Sequence, residues 1–151
     1  MKQVLTLIIV TLISGCVASG PQFQKVQLEE NGSSVVYFYR TFDKTFAGAK
    51  ANFYVDDKKV IELLYKGYTY VQLSPGNYTV KQSWESVTST TDGPEIEITV
   101  RENESLYIVV EPWHYWTEKG LVSQWVVKQV PEEEALKEIQ KNRFQENIFE
   151  I

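Results

Sequence analysis

The sequence predicts an all-β protein, a single antiparallel β-sandwich of roughly eight strands with a short C-terminal helix. Two observations carry this prediction. Stretches that are β-branched and aromatic, or that alternate apolar with polar residues, recur from Val35 to Val130 with turn-forming residues between them. No helical pattern lies between these stretches, which argues against the parallel sheet of an α/β protein, because parallel crossovers are usually helical.

The chain begins with a short export signal. A basic residue is followed by an apolar stretch, residues 4–12, which is too short to span a bilayer. Residues 13–16, Ile-Ser-Gly-Cys, resemble the lipobox of bacterial prolipoproteins, in which small residues precede an obligatory cysteine. The resemblance implies cleavage between Gly15 and Cys16 and attachment of lipid to the Cys16 thiol.

The cysteine count agrees with lipidation. Cys16 is the only cysteine, and an odd thiol in an exported protein needs an explanation, which acylation provides. Cleavage leaves 136 residues, enough to bury one ordinary core without disulfides. We therefore expect a signal peptide over residues 1–15, a lipidated cysteine and tether over residues 16–33, and one sandwich domain with its helix over residues 34–151.

Lipid anchorage and charge limit the location and the partners. Two or three acyl chains make membrane attachment effectively permanent. Val17 and Ala18 follow the cysteine where an Asp would signal inner-membrane retention, so we expect the outer membrane, facing the periplasm.

The processed chain has 14 basic and 20 acidic side chains, a net charge of −6. Without a basic cluster, this charge argues against nucleic acid or anionic lipid headgroups as the main ligand.

The first elements follow from local pattern. Residues 17–33 show little periodicity and contain Gly and Pro, which favours a tether, with a short strand around 23–28 as the alternative. Residues 35–39 are apolar and aromatic throughout, as in a strand covered on both faces. Residues 51–55 alternate, and a polar step, Asp56 to Lys59, precedes Val60 and Ile61, so a hairpin is predicted.

The later elements follow the same logic. A strand over residues 68–73 leads to Ser74-Pro75-Gly76-Asn77, which suits a type II turn with Gly at its third position. Residues 78–84 and 95–100 alternate as half-buried strands around a polar loop, 86–94, and two further strands are predicted at 106–110 and 121–130. A helix is predicted to begin at Pro131 and to cover an edge or face of the sandwich, with one apolar side formed by Leu136, Ile139 and Phe144.

The middle of the chain resembles a known kind of β-domain. Residues 54–60 (Tyr-Val-Asp-Asp-Lys-Lys-Val) and 67–80, which include Leu-Ser-Pro-Gly-Asn-Tyr-Thr-Val, are similar to PEGA-type domains and to a family of uncharacterised bacterial lipoproteins with a domain of unknown function. Asp57 stands where that pattern has a glycine. The resemblance implies a β-sandwich of envelope proteins and transfers no catalytic residue.

Few residues suggest chemistry. His114 is the only histidine and Cys16 is committed to lipid, so no zinc site can be assembled from these side chains, and we expect no metal, no cofactor and no catalytic residue. A Ser-His-Asp arrangement around His114 would be the exception. The carboxylate pairs, such as Glu95 with Glu97, fall in turns and on wet strand faces, where both members would ionise.

An aromatic cluster is the most suggestive feature. It comprises Trp113, His114, Tyr115 and Trp116, with Trp125 across a presumed hairpin. In a loop between Val110 and Leu121 these side chains could stack on sugar rings or on a partner protein, whereas in strands they could fill the end of the sandwich. The sequence leaves both arrangements open.

The sequence therefore predicts an outer-membrane lipoprotein that acts as a non-enzymatic binding or structural module, with an envelope protein or peptidoglycan as partner. A glycan or peptidoglycan binder that uses the aromatic cluster is the first alternative. An envelope hydrolase is the second.

Overall fold

The computed structural model describes residues 17–28, 32–41, 47–85 and 90–147. The predicted signal peptide and Cys16 lie outside them. The described residues form nine strands and one helix, which confirms the predicted all-β sandwich. The elements are β1 (Ser34–Arg40), β2 (Lys50–Val55), β3 (Lys58–Leu63), β4 (Gly67–Leu73), β5 (Gly76–Glu85), β6 (Thr90–Val100), β7 (Ser105–Thr117), β8 (Gly120–Val130), α1 (Glu132–Ile139) and β9 (Arg143–Phe144).

The strands form two sheets with different pairing directions. One sheet has the order β8-β7-β1-β4-β9, and the other has the order β3-β2-β5-β6. Most pairs are antiparallel as predicted, but β1 pairs with β7, and β4 with β9, in parallel. Because the strands of the second sheet intervene in the chain between β1 and β7, no tight turn constrains the direction in which these two strands meet.

The main core lies between the two sheets. Alternating residues of the facing strands fill it, as expected for a sandwich. Val36, Phe38, Phe53, Val80 and Ile108 have no exposed surface. The predicted alternation of residues 78–84 and 95–100 is confirmed, since Val80, Trp84, Ile98 and Val100 all belong to this core. The five-stranded sheet thus buries one of its faces here.

A second core covers the outer face of the five-stranded sheet. Val35, Tyr37 and Tyr39 of β1 point to this side, and Ala135 and Ile139 of α1 pack over it. Alternate residues of β1 therefore enter different cores, so this strand is covered on both faces, as its continuous apolar sequence predicts. Burial on both faces also explains why all seven of its residues are buried.

The described part of the predicted tether lies against the domain. Phe23, Val26 and Leu28 pack on the second core. Backbone groups fix the segment as well, because the Ala18 amide donates to the Tyr65 carbonyl at 3.1 Å and the Val26 amide donates to the Tyr37 hydroxyl at 2.7 Å. Over residues 17–28 the predicted tether is thus an extended segment held against the domain by apolar contacts that local periodicity does not reveal. The alternative of a regular strand at 23–28 is also not found, since these residues form no strand.

Two turns differ from each other in how well the sequence predicts them. Asp56 and Asp57 join β2 to β3 with φ angles of 46° and 64°, so both residues of this two-residue hairpin are left-handed, as in a type I′ turn. The predicted type II turn at Ser74 to Asn77 is wrong. Gly76 has no positive φ and is the first residue of β5. The chain passes here from one sheet to the other, so the geometry of a tight reversal is not required.

The C-terminal helix is confirmed with altered boundaries. Pro131 is its N-cap residue and the helix begins at Glu132. Ala135 and Ile139 are its buried residues, whereas Phe144 belongs to β9 instead of the helix. The helix covers the outer face of the five-stranded sheet.

Candidate functional site: an exposed aromatic hairpin

The long β7–β8 hairpin carries the aromatic cluster. β1 ends at Arg40, which pairs with Val110, and β7 then continues for seven more residues to Thr117. At about 3.3 Å per residue, this part of β7 reaches roughly 23 Å past the last β1 pair. β8 accompanies it in regular antiparallel register, from Thr117 opposite Gly120 back to Pro112 opposite Trp125. We call residues 111–126 the aromatic hairpin.

The strand geometry resolves the arrangement of Trp113 and Trp116. They lie in β7, three residues apart, and therefore face opposite sides of the hairpin. Both are nevertheless exposed, Trp113 at 56% and Trp116 at 79%. Tyr115 shares the side of Trp113, and Leu121, which pairs with Trp116, is 55% exposed. Large apolar side chains thus lie on both faces of the hairpin. Of the two arrangements that the sequence leaves open, the structure has the strand, but with these side chains exposed.

His114 contacts a serine across the hairpin. It pairs with Ser123, and its Nδ1 lies 2.7 Å from the Ser123 Oγ. A serine hydroxyl within hydrogen-bond distance of an imidazole provides the nucleophile and the base that nucleophilic catalysis requires. Both side chains are on the exposed surface of a projecting hairpin and not in a cleft. As placed, the contact is a cross-strand hydrogen bond that ties the two strands together.

Trp125 is separated from the exposed aromatics. Its ring stacks on that of Trp84 in β5, with centroids 3.7 Å apart. The guanidinium carbon of Arg40 lies 5.2 Å from the Trp84 centroid and 5.8 Å from the Trp125 centroid, within cation–π range. Arg40 is 2% exposed, and its Nη1 donates to the Ala49 carbonyl at 2.7 Å. Trp125 therefore helps to close one end of the sandwich, at the base of the hairpin.

A groove of about 540 Å³ lies beside this base. Trp84, Gly93, Pro94 and Trp125 are among its lining residues, so it runs between the start of β6 and the edge of β8. Trp84 and Leu121 lie outside the aromatic cluster that the sequence predicts. The alternation of β5 places Trp84 inside, but only the packing of the two sheets brings it to Trp125.

The aromatic hairpin and its base carry no excess of basic charge. Glu118 and Lys119 form its turn, and Lys128 at its base contacts Glu111 at 2.8 Å. The hydrogen bond to Glu111 raises the pKa of Lys128, so the Lys128 ammonium stays charged at neutral pH. In the turn, the Thr117 hydroxyl donates to the Gly120 carbonyl and accepts from the Lys119 amide. The projecting surface is thus aromatic, and its turn is closed by hydrogen bonds of the Thr117 hydroxyl.

The part of the chain that the structure describes contains no group of three or more His, Cys, Asp or Glu side chains placed to hold a metal ion. Within the same residues, no helix has the length and apolar character needed to cross a membrane. Of the predicted site residues, Gly15 and Cys16 lie outside the described ranges, Trp113 to Trp116 lie together on the hairpin, and Trp125 lies in the sandwich end.

The fold and the candidate site together define the class of protein, an all-β sandwich with an exposed aromatic hairpin. The family described as "Protein of unknown function (DUF2846)" matches residues 30–114, more than half of the chain, and the protein belongs to this family. The match runs from just before β1 to His114, so Tyr115, Trp116 and all of β8 lie beyond it. No curated protein and no solved structure gives a significant match.

Proposed function

We propose that this protein is a lipoprotein of the bacterial outer membrane whose β-sandwich faces the periplasm and serves as a non-enzymatic binding or structural module. The observation that carries a binding role is the aromatic hairpin. Trp113, Tyr115, Trp116 and Leu121 are, with Val17, the exposed large apolar side chains among the described residues. Exposed apolar groups gathered on one element are typical of an interaction site.

The anchor part of the proposal rests on residues 13–16. Their pattern of a branched residue, two small residues and a cysteine suits lipid transfer to Cys16 and cleavage before it. Val17 follows directly and is 39% exposed, so Val17 itself is accessible to a membrane. With its only cysteine acylated, the domain is stabilised by its two cores alone.

Replacement of Cys16 tests the anchor. In a bacterial host that processes lipoproteins, Cys16→Ser should abolish incorporation of labelled palmitate and leave the unprocessed precursor, because the hydroxyl does not replace the thiol nucleophile. Ser14→Ala is the matched control and should be labelled, since it keeps a small residue before the cleavage site. Normal labelling or normal maturation of Cys16→Ser would refute the lipoprotein assignment.

A glycan-binding module is the second candidate function. The exposed faces of Trp113 and Trp116 favour it, because aromatic rings stack on the apolar faces of sugars. Their placement on opposite sides of a projecting hairpin, and not in one concave surface, weakens it. The envelope hydrolase has only the His114–Ser123 contact in its favour. Retention of the protein on isolated sacculi, lost in Trp113→Ala with Trp116→Ala, would select the glycan binder.

A further inference from the structure

The aromatic hairpin and the start of the described chain lie at the same end of the sandwich. β1 runs parallel to β7 and ends at Arg40, beside Val110, from which β7 continues into the hairpin. β4 runs antiparallel to β1, so its beginning at Gly67 lies at this same end. Val17 bridges Tyr65, two residues before Gly67. Val17, the residue that follows the proposed lipidation site, therefore lies at this end of the sandwich as well.

The distribution of apolar groups distinguishes between kinds of partner. A flat protein surface or a glycan strand would contact one face of the hairpin and leave the other in water. Here one face carries Trp113 and Tyr115, and the other carries Trp116 and Leu121. Exposure on both sides suits a medium that surrounds the hairpin, and a membrane surface is such a medium.

The polar features limit how deep the hairpin can enter. β8 is the edge strand of its sheet, so part of its backbone needs water as a partner, and the turn carries Glu118 and Lys119. Neither feature is tolerated in the hydrocarbon core. Both are compatible with the headgroup region, where Trp and Tyr rings are also enriched. The hairpin carries Glu111, Glu118 and only one basic residue, Lys119, while Lys128 at its base contacts both Glu111 and Glu134. This surface therefore offers no basic patch for anionic lipid and suits a zwitterionic surface.

We propose that the aromatic hairpin docks into the headgroup region of the phospholipid membrane that holds the lipid on Cys16. This inference rests on the proposed lipoprotein function. The acyl chains would attach one point of the domain, and the hairpin would add a second contact at the same end, which fixes the orientation of the sandwich on the membrane. Trp113 and Trp116 would be the main membrane-contacting residues.

Tryptophan fluorescence tests this docking. The full lipidated protein is reconstituted in zwitterionic phosphatidylcholine vesicles, with and without brominated phospholipid, which quenches nearby tryptophan. The protein has four tryptophans, and Trp84 and Trp125 are stacked in the sandwich. We expect brominated lipid to quench the wild type clearly and the Trp113→Tyr, Trp116→Tyr variant far less. Equal quenching of the two proteins, or none in either, would overturn the proposal.

A tryptophan placed at the other end of the sandwich tests which end faces the membrane. Asn77 is exposed on β5 near Val100, at the opposite end of the sandwich from Arg40. Asn77→Trp, added to the double tyrosine variant, should remain unquenched, and quenching of this reporter would contradict an orientation fixed by the hairpin. Loss of quenching together with hairpin-dependent binding to sacculi would overturn membrane docking in favour of glycan.

The test separates this inference from the proposed function. Lipidation is measured on the same protein by the mass of its N-terminal peptide. A lipidated protein whose Trp113 and Trp116 are not quenched would refute the docking and leave the anchor standing. An unlipidated protein that is quenched on added vesicles, through these two residues, would refute the anchor and support the docking.

Discussion

At the scale of single residues, the turn between β2 and β3 shows how one side chain fits an unusual backbone. Asp57 has a φ of 64°, a conformation that glycine adopts freely and that Asp and Asn tolerate better than other residues. Its carboxylate also accepts a hydrogen bond from Lys81 Nζ at 2.7 Å. Glycine is common at this position of two-residue hairpins, and Asp57 retains the left-handed turn by a different means.

The backbone contribution of Asp57 can be isolated with two variants. Asp57→Ala and Asp57→Gly both remove the contact with Lys81, and they differ in whether the residue has a Cβ. We expect the alanine variant to be less stable than the glycine variant by about 1 kcal/mol, because a Cβ is unfavourable at positive φ. Urea denaturation measures the difference. Equal stability of the two variants would show that the left-handed conformation is not required.

At the scale of elements, the second core combines β1, α1 and the N-terminal segment around a group of tyrosines. Burial raises the pKa of Tyr37, Tyr39, Tyr68 and Tyr107 above the ordinary value of 10.0. For Tyr39 the nearby charge of Glu134 raises it further. The sequence predicted an apolar β1 covered on both faces but did not indicate that tyrosines would make up so much of this core.

These tyrosines predict how stability depends on pH. A raised pKa in the folded state means that the folded protein holds the phenolic proton more tightly than the unfolded chain. The resulting stability is complete below about pH 10, the ordinary tyrosine pKa, and is lost as the pH rises through the higher folded value. Chemical denaturation between pH 9 and about pH 11.5 should therefore show a falling free energy of unfolding.

Tyr39→Phe should make this fall shallower, because one of the buried phenols is gone. The stability of each protein at pH 7 serves as its own reference, so any loss of packing does not affect the comparison. An unchanged pH dependence in the variant would contradict the assignment of the effect to Tyr39.

At the scale of the whole molecule, the folded domain extends further towards the N-terminus than the sequence suggests. The Phe23 ring lies 5.4 Å from that of Tyr37 and 5.2 Å from that of Tyr68. Residues 17–28 and α1 together cover the outer face of the five-stranded sheet. If Cys16 carries a lipid, as proposed, that lipid would join the folded domain almost directly and would keep the aromatic hairpin near the membrane.

Truncation tests whether residues 17–28 belong to the folded domain. A chain beginning at Ser34 should melt at a lower temperature than one beginning at Val17. It lacks the partly buried Phe23, Val26 and Leu28, a loss of several kcal/mol at about 25 cal/mol per Å² of apolar surface. Phe23→Ala in the longer chain should give part of this decrease. If the two chains melted at the same temperature, residues 17–28 would not stabilise the domain and would act only as a tether.

The sequence by itself determined the local features of this protein. Alternation fixed the inward faces of β5 and β6, and a continuous apolar run marked β1 as a strand with two covered faces. Acidic residues after Pro131 located the helix to within one residue of its start. Each of these features depends on residues only a few positions apart, so the amino-acid sequence is enough to reveal them.

Only the tertiary structure decided the parallel pairing of β1 with β7, the packing of residues 17–28 and the division of the aromatic cluster. Each depends on residues far apart in the chain. Trp125 is covered because β5 brings Trp84 to within 3.7 Å of it, whereas Trp113 and Trp116 lie on the part of β7 that continues past Arg40, the end of β1. What lies opposite a side chain decides whether it is core or surface, and local periodicity does not contain that information.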